Sequence, residues 1–238
     1  MEKIFQYRRG LSNGYIVLGE KIIAVDTGCE ETEEAFLSAC KEAGIKPTDV
    51  SLIIITHGHV DHFFNLVNME RLTGAPVMCH EFAADFIVNG KDPNVQGRTK
   101  QGKAIIKKQE EEGNPTDHTP SAKVDIRVNT DTDLSPYGIK AQLIHTPGHS
   151  QGCMSVVFES GEAIIGDMIL SVPPNDEPGL AFLSYDGPCT SPELYSSIRK
   201  LLDMGCHTFY SGHGGPYSKE LVESLLCTDE QAYKTGNL

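Results

Sequence analysis

The densest apolar block in the chain is Leu52-Ile53-Ile54-Ile55, a run without polar alternation that predicts a strand covered on both faces. Upstream, the pattern reads as a β meander, with strands over residues 3–8, 15–18 and 22–25 and turns at Ser12-Asn13-Gly14 and Gly19-Glu20. Between the meander and the block, Ala35, Phe36, Ala39, Cys40 and Ala43 recur at helical spacing. Acidic residues crowd the first turns and Gly44 provides a stop, so residues 31–43 are predicted as a helix. Beyond the block the pattern predicts a helix over 63–72, closed by Gly74-Ala75-Pro76, then a strand over 76–79 and a helix over 81–88. This alternation of strand and helix signals an α/β layer architecture.

Residues 89–122 interrupt the alternation with Asn89-Gly90, Asp92-Pro93-Asn94, Gly97, Gly102 and Gly113-Asn114-Pro115, around one helical piece over 104–112. Strands resume over 123–128 and 139–145, and a hairpin follows over 154–158 and 163–165. Residues 171–190 are rich in Pro, Gly and polar groups with Phe182 and Tyr185 embedded, which suits a lid or pocket wall. Ser191-Pro192 reads as the N-cap and first position of a helix whose buried stripe is Leu194, Ile198, Leu201 and Leu202. A last strand over 208–210 precedes a final helix beginning near Ser218.

Composition narrows the class. A chain of 238 residues can bury one large core or two small ones, and its 39% apolar and 22% charged residues are those of an ordinary globular protein. No apolar run approaches the ~20 residues that span a bilayer, and the first residues lack a signal-peptide core, so a cytoplasmic protein without membrane association is expected. The seven cysteines (29, 40, 79, 153, 189, 206 and 227) are scattered and never form Cys-x-x-Cys, as expected of reduced, buried thiols. A formal charge of −13 repels phosphate backbones and argues against a nucleic-acid partner.

The candidate chemistry follows the apolar block. Thr56-His57-Gly58-His59-Val60-Asp61-His62 packs four metal-capable side chains into six residues directly after a buried strand, a rigid scaffold followed by a loop free to aim them. The same design recurs three times: His149 follows Thr146-Pro147-Gly148, Asp167 follows Gly166, and His213 follows Gly212, each after a β-rich apolar run. Strand ends can converge at one edge of a layered sheet. Together these junctions offer five histidines and two aspartates, a nitrogen and oxygen donor set suited to Zn²⁺ and also to Fe or Mn. Asp26, in Asp26-Thr27-Gly28, ends another strand and can form an Asx turn or lie beneath the site. His145 reads as flanking or surface, His80 and His207 as packing or cap residues, and His118 as exposed.

Asp26-Thr27-Gly28, the Thr-His-x-His-x-Asp-His motif at 56–62, Thr146-Pro147-Gly148-His149-Ser150, Gly166-Asp167 and Gly212-His213-Gly214 resemble, in order and spacing, the motifs of the metallo-β-lactamase fold hydrolases. The resemblance covers nearly the whole chain and implies a single domain over residues 1–238. The implied fold is an αββα sandwich of two mixed β-sheets flanked by helices, with metals along one edge. It also implies roles: His57, His59 and His149 on a first divalent ion, Asp61, His62 and His213 on a second, Asp167 between them, and Asp26 behind them orienting a ligand. The implied activity is that of a dinuclear metal-dependent hydrolase in which a metal-bound hydroxide attacks a small-molecule ester, thioester, lactone, amide or phosphoester, with Asp61 holding the nucleophile or passing a proton.

Within the family, glyoxalase II enzymes resemble this chain through residues 146–152, but they usually place His where Cys153 stands. Acyl-homoserine-lactone lactonases place Tyr where Leu170 stands, a role for which Tyr185 is the available substitute. Phe63-Phe64 replaces a pair of small residues common among relatives, and either narrows the pocket or packs the following helix. Cys153 reads as buried filler. Lys91, Arg98, Lys100, Lys103, Lys107 and Lys108 form a basic segment that reads either as an anion-attracting lid or, preferably, as a solvated helix. The alternative to an enzyme is a non-catalytic metal-binding or sensor protein of the same fold. Substrate-binding residues and oligomeric state are not legible.

Overall fold

The protein is described by a computed structural model covering residues 2–8, 10–28, 32–112, 120–172, 177–185 and 190–238. His118, Cys29, Cys189 and the Gly113-Asn114-Pro115 break lie outside the described residues.

The first sheet grows from the meander. β1 (Lys3–Arg8), β2 (Asn13–Leu18) and β3 (Ile22–Val25) pair antiparallel. After α1 (Thr32–Ala43), β4 (Val50–Ile55) adds parallel to β3. The apolar block lies within β4 and is fully buried, with its two faces serving different layers. Leu52 and Ile54 face the interior between the sheets, while Ile53 and Ile55 pack against the outer helices with Phe36, Leu66 and Ala84. That two-sided burial is why the run lacks polar alternation.

The predicted 63–72 helix is two helices, α2 (Val60–Phe63) and α3 (Leu66–Thr73), divided at Phe64-Asn65. Asn65 leaves helical geometry at φ −90°, ψ 10° and its Oδ1 accepts from Asn68 Nδ2 at 2.8 Å, restarting the chain in a new direction. β5 (Val77–His80) and α4 (Glu81–Asn89) follow. An excursion through β6 (Val95–Gly97) and α5 (Lys100–Glu112) precedes β7 (Ile126–Val128), which completes the sheet beside β5.

The second sheet contains β8 (Thr132–Asp133), β9 (Ala141–His145), β10 (Met154–Phe158) and β11 (Glu162–Ile164). Two short ribbons lie outside it: β12 (Ile169–Leu170) pairs with β13 (Gly179–Leu180), and β14 (Leu183–Tyr185) reaches back to β6. After α6 (Ser191–Asp203), β15 (Thr208–Tyr210) adds parallel to β11, β16 (Tyr217–Ser218) pairs antiparallel with β15, and α7 (Lys219–Lys234) ends the fold.

Both six-stranded sheets are mixed, and they stack face to face over Tyr15, Val17, Leu52, Ile54, Met78, Leu143, Val156 and Ile164. Helices α1, α3 and α4 cover one outer face, α6 and α7 the other, giving the αββα sandwich. Thr190, not Ser191, caps α6: its hydroxyl accepts from Glu193 N and Glu193 answers to Thr190 N at 2.7 Å. No helix among the described residues is long and apolar enough to cross a membrane. Cys40, Cys79, Cys153 and Cys206 are free and buried, while Cys227 is exposed.

Candidate metal centre

The predicted donors come from both sheets. β4 delivers His57 and His59 on the loop that follows it, and α2 presents Asp61 and His62 from its first turns. The ends of β9, β11 and β15 in the second sheet deliver His149, Asp167 and His213. Backbone bonds stitch the edges together: Met154 N donates to Thr56 O at 2.8 Å and Asn13 N to Gly212 O at 2.7 Å.

All seven predicted donors meet. The ligating atoms of His57, His59, His149 and Asp167 lie within 4.8 Å of one another, as do those of Asp61, His62 and His213. Asp167 joins the two groups. Its Oδ1 is 3.2 Å from His62 Nε2, and its Oδ2 is 3.2 Å from His213 Nε2, 3.8 Å from His149 Nε2 and 4.0 Å from His57 Nε2. Asp61 Oδ2 lies 3.1 Å from His213 Nε2 and its Oδ1 3.6 Å from His59 Nδ1.

The outer partners of the rings decide which nitrogens are bare. Thr56 Oγ1 donates its one proton to Asp26 Oδ2 (2.8 Å), so it must accept from His57 Nδ1 (3.0 Å). His62 Nδ1 donates to Asp26 Oδ2 (2.8 Å), His149 Nδ1 to Leu183 O (3.2 Å) and His213 Nδ1 to Leu11 O (2.8 Å). In each of these four rings Nδ1 therefore carries a proton toward its outer partner and Nε2 faces inward. His57 Nε2, His59 Nδ1, His62 Nε2, His149 Nε2 and Asp167 Oδ1 are buried without a hydrogen-bond partner among the described residues. Each unanswered polar atom costs about 1–3 kcal/mol, and native proteins carry only a few per hundred residues. Five in one cluster make a pocket of donor atoms able to hold metal ions. The donor set is that of a divalent metal site without thiolates.

The electrostatics agree. Burial works against charge on His62 and His213, yet Asp167 and Asp61 (with Asp26 for His62) raise both, His213 to about 10 and His62 well above its ordinary value. Burial works against ionisation of Asp61 and Asp167, but the imidazoles around them hold both far below the carboxylate range. On the three-imidazole side, burial and the neighbouring rings keep His57 well below its ordinary value and His149 at about 4, neutral and able to ligate.

Asp26 is fully buried beneath the cluster, and its Oδ1 also accepts from Thr56 N at 2.7 Å. It is the one non-glycine among the described residues with positive φ, 57°, a conformation Asp tolerates at modest cost and which Tyr7 Oη anchors by donating to Asp26 O at 2.7 Å. The Asx-turn reading gives way to a residue that orients His62 directly and His57 through Thr56. Gly212 is required by close approach, since a Cβ there would lie 2.1 Å from Asp167 Oδ1 and 2.5 Å from His62 Cε1.

Two supports escaped the sequence. Ser12 and Asn13, which read as turn residues, are fully buried. Ser12 Oγ donates to Asp61 O at 2.6 Å, while Asn13 Nδ2 donates to Ser211 O and Gly214 O, both at 2.9 Å. The only signal was an amide side chain opening an apolar strand. Tyr185 lies over the site, its ring centroid 3.8 Å from that of His59 and 4.9 Å from that of His149. Phe63 belongs to the core beneath the helices, while Phe64 is half-buried. Cys153 Sγ is engaged by Ser150 N at 3.2 Å. His80 Nδ1 caps α4 by accepting from Phe82 N at 3.2 Å, and its ring stacks on half-buried His145. His207 is exposed.

The basic segment is not a uniform lid. Arg98 is sealed in the fold, its guanidinium paired to Asp229 at 2.7 and 2.9 Å and to Ser191 Oγ at 3.1 Å, while Lys91, Lys100, Lys103, Lys107 and Lys108 are exposed.

A family model described as the metallo-beta-lactamase superfamily matches residues 7–213. A protein described as a probable metallo-hydrolase from Methanocaldococcus jannaschii is 28% identical over 164 residues, 67% of this chain and 68% of that one. A metallo-beta-lactamase family protein from Thermus thermophilus superposes with a TM-score of 0.67 at 21% identity, covering 98% of this chain and 81% of that chain. A protein solved in a di-iron-bound form gives a TM-score of 0.64 at 19% identity, covering 92% and 96%. These structural likenesses speak for the fold, and the family model spans most of the sequence and all seven donors. The chain belongs to the metallo-beta-lactamase superfamily.

Proposed function

We propose that the protein is a dinuclear metal-dependent hydrolase of a small molecule bearing an ester, thioester, lactone, amide or phosphoester bond. The observation that carries the reading is the cluster of five buried, unpartnered donor atoms. His57, His59 and His149 would hold one ion, Asp61, His62 and His213 the other, and Asp167 both. A nitrogen and oxygen set favours zinc and admits manganese or iron, and one neighbour of the same fold was solved with two irons. Bound there, the ions supply the Lewis acidity that ionises water near neutral pH and polarises a carbonyl or phosphoryl oxygen.

The chain's own groups supply the rest. Asp61 is 20% exposed and Asp167 only 3%, so Asp61 is the carboxylate that an entering substrate meets. Its oxygens can take the proton of the attacking water and return it to the leaving group. Tyr185, packed on His59 and His149, walls the site and limits bulk water. The net charge of −13 disfavours nucleic acid as the substrate.

The test is metal content measured beside turnover on a panel of ester, thioester, lactone and phosphodiester substrates. Two ions per chain and turnover that vanishes in Asp61→Ala support the hydrolase. Two ions without turnover on any panel member would favour a metal-binding sensor of the same fold.

A further inference from the structure

The three imidazoles assigned to one ion sit on two loops, His57 and His59 after β4 and His149 after β9, and one helix touches both. α4 begins at Glu81, and its buried Ala83 lies against each loop. A Cβ at Gly58, the residue between His57 and His59, would lie 3.2 Å from both Cα and O of Ala83 and 3.3 Å from Phe86 Cβ. A Cβ at Gly152, on the loop that carries His149, would lie 2.8 Å from Ala83 N and 3.2 Å from Ala83 Cβ. The first approach leaves little room and the second none, so both loops already rest on the same turn.

The turn is pinned by contacts of its own. His80 Nδ1 accepts from Phe82 N at 3.2 Å and closes the start of the helix. The His80 ring stacks on that of His145, centroids 4.4 Å apart and planes 15° apart. His145 Nε2 in turn donates at 2.7 Å to the carbonyl of Gln151, the residue before Gly152. Ala84 and Ile87 seat α4 in the core over the first sheet. From one loop to the other, the ring centroid of His149 stands 4.9 Å from that of His57 and 5.8 Å from that of His59.

We propose that the first turn of α4 is the spacer that sets the separation of the two loops, with Ala83 the positioning residue whose small side chain lets His57, His59 and His149 converge on one ion. Ala83 acts through the backbones at Gly58 and Gly152. The inference rests on reading the cluster as a metal centre. The other group has supports of its own, since Ser12 holds Asp61, Asp26 holds His62 and Leu11 O holds His213. The spacer therefore serves one ion and not the other.

The experiment is a Zn²⁺ titration of metal-stripped wild type, Ala83→Leu, Gly152→Ala and Ala83→Gly against a chromophoric chelator, with melting of each metal-free protein as a folding check. Extra carbons forced into a filled gap are worth about 5- to 150-fold in an equilibrium constant. Ala83→Leu and Gly152→Ala should therefore bind one zinc ion about tenfold or more weakly and the other as wild type does. Ala83→Gly gives up helix stability without filling the gap, so it should melt lower and keep both affinities. A purely structural role predicts the reverse, with affinity falling alongside Tm. At saturating zinc, long-range ¹H–¹⁵N spectra should show the ring signals of His57, His59 and His149 displaced in Ala83→Leu and those of His62 and His213 in place. Unchanged affinities in the crowded variants, equal weakening of the two ions, or an equal loss in Ala83→Gly would each overturn the proposal. If Ala83→Leu does not fold, Gly152→Ala, which adds a single carbon, decides by the same readouts. A wild type that binds no zinc defeats the metal-centre reading itself, so the two failures are distinguishable.

Discussion

The cradle formed by the strand-end loops and the cover formed by β6, α5 and the ribbons over residues 177–185 are both polar and irregular, yet they treat their buried polar groups in opposite ways. In the cover the sealed guanidinium of Arg98 finds its answers within the chain. Arg98 pairs twice with Asp229, which also accepts from Tyr195 Oη at 2.5 Å, and Arg98 Nε donates to Ala181 O. In the cradle the outer atoms of four rings are answered with equal care, but the inner atoms are left bare. A polar region satisfied throughout is architecture. One satisfied only on its outer side is built to receive something.

The largest expected effect comes from breaking the cradle. His149→Ala or Asp61→Ala should lower kcat/KM on any accepted substrate by about three orders of magnitude, near 4 kcal/mol of transition-state stabilisation. Steady-state kinetics check this, and a loss below tenfold would remove those residues from the chemistry. Stripping the metal should cost about 4 kcal/mol of stability relative to protein held at a thousandfold excess over Kd, lowering Tm by about 10 °C in calorimetry. Next comes the cover. Asp229→Ala leaves Arg98, whose side chain is 3% exposed, without its counter-charge and should cost about 3 kcal/mol, measured by denaturant unfolding, while the metal content stays at two. If that variant instead lost its metal, the division between cradle and cover would fail.

Two smaller tests sharpen the contrast. His80 lies outside the cradle, but its Nε2 is also buried and unpartnered. Burial and then His145 push its pKa down to about 4. The unfolded chain therefore takes up a proton before the folded one as pH falls, so the stability His80 contributes is present above its unfolded value near 6.5 and is lost toward pH 4. Between pH 7 and pH 5 wild type should lose about 2 kcal/mol more than His80→Asn, as followed by urea unfolding. Lys103 and Lys107 are exposed on α5. Replacing both with Ala should change KM for an anionic ester less than about twofold, as a solvated helix requires. A larger rise that fades with salt would make α5 part of the substrate site.

Much of the cradle was legible because its donors sit beside glycines at strand ends, and because an uninterrupted run such as 52–55 admits few other readings. The cover was not. β6 and β14 have three residues each, too few to show a period, and are defined by pairing with each other across the chain. Arg98 gave no sign that its partner would be Asp229, since charge pairing at that separation has no local signature. Ser12 and Asn13 misled because the residues that favour turns are also those whose side chains brace a neighbouring loop. The split between α2 and α3 was hidden by helical spacing on both sides of Asn65.

The most direct test of the central claim is anomalous diffraction from crystals of the metal-loaded protein, with metal content measured on the same batch. Two peaks about 3.5–4 Å apart are predicted, with His57, His59 and His149 around one, Asp61, His62 and His213 around the other, and Asp167 touching both. Fully loaded protein with no peak among these seven side chains, or with its metal bound elsewhere on the surface, would contradict the account.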